Sequence, residues 1–314
     1  MGKIAFLFSG QGAQYVGMGK ELYNNFKSSR KVFEEAKSAL SFDVGELCFN
    51  SSMENLNKTE NTQPAILTTS IAALRALEDE GIKPDVVAGL SLGEYSALVC
   101  SKALDFSTAV KLVKKRGKFM QEAVPEGEGS MSAIIGLEEE AVEKSCREAS
   151  RIGIVQPANY NCPGQVVIGG EVKAVDLACM KAKEKGAKRV IKLSVSAPFH
   201  TSMLLPAAER LFYELKNIEI KDIQIPTISN VIADYIENKE LVKEFLRKQV
   251  MYPILWTKSI IRMIIDGVDT FIEIGPGKVL GGFVKRIDRN LKICNIEDMK
   301  SLEKTLNVLG GVLC

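Results

Sequence analysis

The stretch from Asp85 to Ala97 restricts the fold more than any other part of the sequence. Val86 to Ala88 is a short apolar run that predicts a buried strand, and Glu94 to Val99 predicts the start of a helix. Between them lies Gly89-Leu90-Ser91-Leu92-Gly93, the G-x-S-x-G pattern of a nucleophile elbow, in which a serine occupies a tight strand-to-helix turn. The pattern predicts Ser91 as a nucleophile at a helix N-terminus. The alternative is a serine that caps an ordinary helix.

Composition narrows the classes of protein to which the chain can belong. It has 314 residues, and 41 basic residues balance 39 acidic ones, so the net charge favours neither nucleic acid nor membrane as a partner. No apolar segment reaches the length of a signal peptide core or a membrane span. The seven cysteines are scattered, with no C-x-x-C pair, which predicts a reduced cytoplasmic protein without disulfides or a metal site: Cys48, Cys100, Cys146, Cys162, Cys179, Cys294 and Cys314.

Histidine occurs once in the sequence, at His200. If Ser91 needs an imidazole base, His200 must supply it. A single histidine is more often structural than catalytic. Its uniqueness and its position in the proline-containing loop Ser194 to His200, just past a predicted domain junction, favour the catalytic interpretation.

The order of predicted elements indicates an α/β protein with two parts. Strands at Ile4 to Phe8 and in the elbow alternate with helices, as in a parallel sheet with helical cover. Composition changes near Pro125 to Gly129, and the following segments predict the order β-α-β-β-α-β, a ferredoxin-like unit. We therefore expect a large α/β-hydrolase-like parallel-sheet domain, residues 1–127 and 197–314, with a small ferredoxin-like domain inserted at 128–196. A cleft between the two would carry the site.

A glycine-rich loop, Ser9 to Gln14, follows the first predicted strand. A phosphate-binding loop is the obvious alternative, but Tyr15 occupies the third glycine position of G-x-G-x-x-G and no Gly-Lys-Ser/Thr is present. In α/β acyl enzymes such a loop supplies the second N–H of the oxyanion hole.

Arg116 lies at the border of an apolar stripe on the helix predicted for Asp105 to Ala123. A buried guanidinium needs an anion or strong acceptors, because burying it unpaired costs several kcal/mol. Two interpretations stay open, an internal salt bridge and a site for the carboxylate of a ligand.

Seven separate motifs, in the expected order along nearly the whole chain, resemble the malonyl-CoA:acyl carrier protein transacylases of dissociated fatty acid synthesis. They are Phe8 to Gln14, Thr62 to Ala65, Gly89 to Leu98, Arg116 to Gln121, Asn161 to Ile168, Phe199-His200 and Gly275 to Leu280. A thioesterase is not expected to share them.

The resemblance implies a role for each residue of the catalytic centre. Ser91 matches the family nucleophile and His200 its base, while Gln11 and Leu92 match the two backbone N–H donors of the oxyanion hole. Gln249 is similar to the residue whose backbone carbonyl orients the histidine in place of a triad acid.

The resemblance also implies how the substrate is held. Arg116 falls where the family arginine binds the free carboxylate of malonate, Asn161 lies in a segment that lines the cleft, and Phe199 resembles the malonyl-selective form of its motif. Leu90 departs from the common G-H-S-x-G pattern, but the exchange is not expected to abolish the chemistry, because the base is the distant His200.

The implied substrates are malonyl-CoA and phosphopantetheinylated acyl carrier protein, with no metal or redox cofactor. An acidic carrier would dock on basic residues near the cleft, and a monomer is expected. The alternative functions are a serine hydrolase or thioesterase, a carrier-binding subunit without activity, and a trans-acting acyltransferase of a polyketide pathway. The candidate docking residues are Lys188, Arg189, Lys285 and Arg286.

Overall fold

The chain forms ten strands and fourteen α-helices over residues 2–195 and 197–310, which are the residues that the computed structural model describes. The strands are β1 (Lys3–Phe8), β2 (Val86–Gly89), β3 (Gly129–Ile135), β4 (Val155–Cys162), β5 (Gln165–Glu171), β6 (Arg189–Lys192), β7 (Ile228–Ser229), β8 (Asp234–Tyr235), β9 (Val268–Ile274) and β10 (Lys292–Ile296).

The helices fall between and after these strands. They are α1 (Lys20–Asn25), α2 (Lys27–Leu40), α3 (Val44–Phe49), α4 (Met53–Leu56), α5 (Thr59–Asp79), α6 (Gly93–Cys100), α7 (Phe106–Glu122), α8 (Glu139–Ala149), α9 (Val172–Glu184), α10 (Leu205–Lys216), α11 (Val242–Met251), α12 (Trp256–Ile265), α13 (Val279–Ile287) and α14 (Met299–Leu309).

The large sheet is parallel, in the strand order β10-β9-β1-β2. Successive residues of β1 point to opposite faces, and both faces are buried. Phe6 and Phe8 pack into a core cluster that includes α5 and α7, whereas Ala5 and Leu7 pack against α12 and α13. Helices therefore cover both faces, which explains why these strands are continuous apolar runs.

The small sheet is antiparallel, in the strand order β4-β5-β3-β6. One face packs against α8 and α9 through residues such as Ile134, Val142 and Val175. Met131 and Val167 line a cavity that also contains the elbow. The predicted fold class, a parallel sheet plus a ferredoxin-like unit, is confirmed. The antiparallel sheet spans 129–192, and the domain boundaries at 128–196 stay a prediction.

The sequence also predicts three local features, namely Thr62 as a helix cap, a helical pattern from Lys20 to Leu40 and a strand from Ile223 to Ile228, and the structure differs from each of them. Thr62 does not cap a helix, since α5 begins at Thr59, and the helical pattern from Lys20 to Leu40 is interrupted at Phe26, whose backbone is extended. The predicted strand from Ile223 to Ile228 is reduced to the two-residue β7. Pro226 explains the last difference, because it has no N–H to donate to a ladder.

Two sequence expectations concern the chain's environment. The six described cysteines are buried and free, while Cys314 lies outside the described residues, as does Ser196 in the loop before His200. Over residues 2–195 and 197–310, no helix has both the length and the apolar character needed to cross a bilayer.

Candidate active site

The elbow holds Ser91 in a backbone conformation that few residues adopt. Ser91 has φ 53°, in the left-handed region, between the end of β2 and the start of α6. Such a conformation costs about 1–3 kcal/mol in a residue other than glycine. The turn is tight because a Cβ on Gly89 would lie 1.9 Å from Gly93 C, and one on Gly93 would lie 2.1 Å from Phe8 O.

The side chain of Asn230 holds this turn through two hydrogen bonds to its backbone. Its Oδ1 accepts the Ser91 N–H at 2.6 Å, and its Nδ2 donates to Gly89 O at 2.7 Å. Asn230 is fully buried. One amide therefore satisfies two backbone groups of the turn, the Ser91 N–H and Gly89 O, and opposes relaxation of the strained conformation.

His200 lies within hydrogen-bond distance of the serine. Ser91 Oγ is 2.8 Å from His200 Nε2, and His200 Nδ1 is 2.6 Å from Gln249 O. A carbonyl oxygen can only accept, so Nδ1 carries the proton and Nε2 is free to accept the serine proton. His200 also donates its backbone N–H to Val250 O at 3.1 Å. Two consecutive carbonyls at the end of α11 thus fix the imidazole and its tautomer.

The imidazole is held in its neutral form. His200 is 4 % exposed. Burial, followed by the positive charge of Arg116, lowers the pKa of His200 to about 3. At neutral pH the free site therefore contains a base ready to accept a proton.

Arg116 points its guanidinium at the same serine. Nη2 donates to Ser91 Oγ at 3.1 Å and to Gln249 Oε1 at 2.9 Å, and Nη1 donates to Gln63 Oε1 at 2.9 Å. The side chain is 1 % exposed and stacks over the Tyr95 ring at 5.4 Å. No carboxylate among the described residues forms an ion pair with it. The site thus holds a buried cation whose partners are neutral, an arrangement suited to an incoming carboxylate.

These groups open into a cavity of about 530 Å³ that lies between the two sheets. Of the other predicted site residues, Gln11, Asn161 and Phe199 line this cavity, and Leu90 lines it beside Ser91. Leu92 is buried directly before α6, with helical backbone angles. A larger groove, of about 860 Å³, is lined by residues such as Lys3, Asp85 and Arg262 and contains none of the predicted site residues.

The four candidate docking residues are exposed, and Lys188, Arg189 and Arg286 lie near one end of the small sheet. Lys188 and Arg189 stand at the start of β6, where Arg189 pairs with Ile135. Ile135 pairs on its other side with Gln165, a cavity residue whose Oε1 accepts from Arg286 Nη1 at 3.0 Å. Lys285 precedes Arg286 on α13.

The sequence alone assigned no role to three residues of the site, Gln63, Asn230 and Glu94. Gln63 lies within the motif Thr62 to Ala65, but its contact with Arg116 could not be inferred from that motif. Asn230 follows the short β7 without any distinctive pattern. Glu94 offered a usable signal, because a carboxylate within an apolar helix start, followed by Tyr95 to Val99, must find a buried partner.

Comparisons with known proteins identify the family to which the chain belongs. Residues 5–303 match the acyl transferase domain family. A malonyl CoA-acyl carrier protein transacylase of Bacillus subtilis is 50% identical over 310 residues, which cover 98% of each chain. The crystal structure of the transacylase of that name from Clostridium perfringens is 54% identical, with a TM-score of 0.96 and coverage of 98% of this chain and 97% of that one.

A solved complex extends the comparison to a bound partner. It contains a malonyl-transacylase together with its type II PKS acyl-carrier protein, and the matched chain is 42% identical with a TM-score of 0.95. The match covers 98% of this chain and 99% of that one. The chain described here therefore belongs to the acyl transferase domain family, and within it to the malonyl CoA-acyl carrier protein transacylases.

Proposed function

We propose that this enzyme transfers the malonyl group of malonyl-CoA to the phosphopantetheine thiol of acyl carrier protein through an ester on Ser91, and so supplies fatty acid synthesis. One observation carries the proposal. In a single cavity, Ser91 Oγ lies 2.8 Å from Nε2 of His200 and 3.1 Å from the buried guanidinium of Arg116, which forms no ion pair with any of the described residues. The names of the relatives support the same substrates.

In the first half-reaction, Ser91 Oγ attacks the thioester carbon while His200 Nε2 takes the hydroxyl proton. The carbonyl oxygen becomes an oxyanion, for which we assign the backbone N–H groups of Gln11 and Leu92 as donors. The C–S bond then breaks, and His200 returns the proton to the departing CoA sulfur. The malonyl ester stays on Ser91 with its carboxylate on Arg116.

The second half-reaction runs the same steps with a different sulfur. The phosphopantetheine thiol gives its proton to His200 and attacks the ester carbonyl, and the C–O bond to Ser91 breaks. His200 then returns the proton to Ser91 Oγ, which restores the free enzyme. Only an acyl group and protons move, so we propose that neither a metal nor a redox cofactor is required.

For the carrier protein, we assign the docking surface to Lys188, Arg189, Lys285 and Arg286. The contact of Arg286 with the cavity residue Gln165 supports this assignment, because a carrier bound there would lie beside the cavity opening. An acidic partner would be steered by such a cluster. We also propose a cytoplasmic monomer.

The test is the intact mass of the protein after brief exposure to malonyl-CoA or acetyl-CoA, followed by addition of carrier protein. A malonyl adduct that is absent from Ser91→Ala, hydrolyses slowly and moves to the carrier is the expected result. An adduct lost to water at the same rate with and without carrier would indicate a hydrolase. No adduct from either thioester would indicate a binding subunit.

A polyketide pathway is the second candidate, because a matched complex contains a PKS carrier protein. The two pathways use the same transfer chemistry, so only the carrier distinguishes them. Comparing kcat/KM for a fatty acid carrier and a polyketide carrier at equal malonyl-CoA decides between them. A higher value with the fatty acid carrier is expected.

A further inference from the structure

A fully buried carboxyl group lies behind the catalytic centre, outside the steps described above. Glu94 is the second residue of α6 and is 0% exposed. Its Oε2 accepts from Gln249 Nε2 at 2.6 Å and from the backbone N–H of Asn230 at 3.1 Å. Its Oε1 has no hydrogen-bond partner among the described residues. A buried carboxyl group is costly, so its position beside two site residues calls for a function.

The partner of Glu94 that matters is the amide of Gln249, because an amide can point in either of two directions. Nε2 of Gln249 donates to Glu94 Oε2 and also to Ser91 O at 3.0 Å. Its Oε1 accepts from Arg116 Nη2 at 2.9 Å. Reversing the amide would place an N–H group against a guanidinium and a carbonyl oxygen against two acceptors. Glu94 Oε2 and Ser91 O, which can only accept from the amide nitrogen, therefore orient the Gln249 amide so that its Oε1 faces Arg116.

We propose that Glu94 is a positioning residue for acyl-group selection: by orienting the Gln249 amide, it holds the Arg116 guanidinium where the free carboxylate of the acyl group must bind. The proposal rests on the function assigned above, because it concerns selection of malonyl over acetyl groups. Glu94 does not touch the substrate. It acts through Gln249 and Arg116.

The orienting effect depends on the acceptor atom more than on the charge. Burial raises the pKa of Glu94 to about 7, so both protonation states occur near neutral pH. In the protonated state the proton can lie on the unpartnered Oε1, which leaves Oε2 free to accept from Gln249 and Asn230. A glutamine at this position can place its carbonyl oxygen in the same place.

The experiment measures kcat/KM for acylation by malonyl-CoA and by acetyl-CoA in a matched set of variants. Glu94→Met keeps the length of the side chain and removes the acceptor. The malonyl-to-acetyl ratio should fall roughly 10-fold, the scale of one hydrogen bond to a charged group. Glu94→Gln should restore the ratio to within about 3-fold of the wild type. Ser96→Ala, a buried substitution on the same helix, controls for packing and should leave the ratio unchanged.

A double-variant cycle tests the route from Glu94 to the substrate. In an Arg116→Ala background, Glu94→Met should produce no further change in the malonyl-to-acetyl ratio, because the residue it positions is gone. Glu94→Asp provides a second route if the Met variant does not fold. It keeps the charge but shortens the side chain by one methylene, so the ratio should fall in the same direction.

The outcomes separate this inference from the proposed function. If the wild type transfers malonyl groups but a folded Glu94→Met or Glu94→Asp variant has kcat/KM lowered equally for malonyl-CoA and acetyl-CoA, Glu94 is structural and the inference is wrong. A further fall in the ratio in the Arg116→Ala background would also overturn it. If the wild type itself forms no malonyl adduct, the proposed function fails first.

Discussion

Replacing Arg116 by alanine tests the acyl-group selection most directly. The guanidinium is 1 % exposed, and its partners, Ser91, Gln63 and Gln249, are neutral. A bidentate bond from arginine to a carboxylate contributes about 1.5–3 kcal/mol. At about 1.4 kcal/mol per tenfold change, Arg116→Ala should lower kcat/KM for malonyl-CoA roughly 10- to 150-fold.

The structure indicates that Arg116→Ala should also lower kcat/KM for a second reason, which applies to malonyl-CoA and acetyl-CoA alike. Arg116→Ala also removes the hydrogen bond to Ser91 Oγ and leaves Gln63 Oε1 and Gln249 Oε1 without this donor. Acylation by acetyl-CoA should therefore fall as well, but less. The informative quantity is the ratio of the two kcat/KM values, because the shared cost cancels in it.

The assay follows the acyl-enzyme by rapid quenching and intact mass with each thioester. Arg75→Ala removes a guanidinium paired with Glu78 on α5, away from the cavity, and serves as the matched control. Arg116→Lys keeps the charge without the planar fork and should give an intermediate ratio. Equal losses with malonyl-CoA and acetyl-CoA in Arg116→Ala would refute the carboxylate-binding role.

Three further predictions concern the base, the elbow and the carrier protein. Because the pKa of His200 is lowered to about 3, the base stays neutral as the pH falls. In Glu94→Gln, which removes the carboxyl group whose pKa is about 7, kcat/KM should be flat from about pH 8 to about pH 5. An inflection near pH 6.5 would contradict this. Gly93→Ala would place a Cβ 2.1 Å from Phe8 O, so thermal unfolding should show a loss of about 1–3 kcal/mol; an unchanged midpoint would be inconsistent with the tight elbow. Lys285→Glu should weaken transfer to carrier protein while acylation by malonyl-CoA is unaffected, and a change in both steps would rule out docking there.

The sequence predicts the fold class because the pattern that indicates each sheet can be recognised within short stretches of the chain. The apolar runs of β1 and β2 require burial on both faces, and the β-α-β-β-α-β order is contiguous in the chain. Ile223 to Ile228 has the composition of a strand, but the proline within it cannot donate to a ladder, and only Ile228 belongs to a strand. In the structure this segment runs beside β2 with a single bridge, between Val87 and Thr227.

The site could be predicted only in part. Ser91 and His200 stand out through a motif and through uniqueness, and Arg116 through a charge on an apolar stripe. Asn230 and the amide of Gln249 carry no such signal, because the contacts that give them a place in the site span 139 and 133 residues of sequence. A polar residue at the end of a helix has the same local pattern whether it faces solvent or a guanidinium.

The way α11 ends has a consequence for how this centre can be altered by mutation. His200 is held by the main-chain carbonyls of Gln249 and Val250, which belong to the last turn of a helix and so have no partner within it. These oxygens carry the negative end of the helix dipole, yet they cannot be protonated at ordinary pH or deleted by a side-chain substitution. Gln249 therefore has two roles: its backbone carbonyl orients His200, and its side-chain amide orients Arg116. Substituting its side chain should change the choice of acyl group while leaving the base in place.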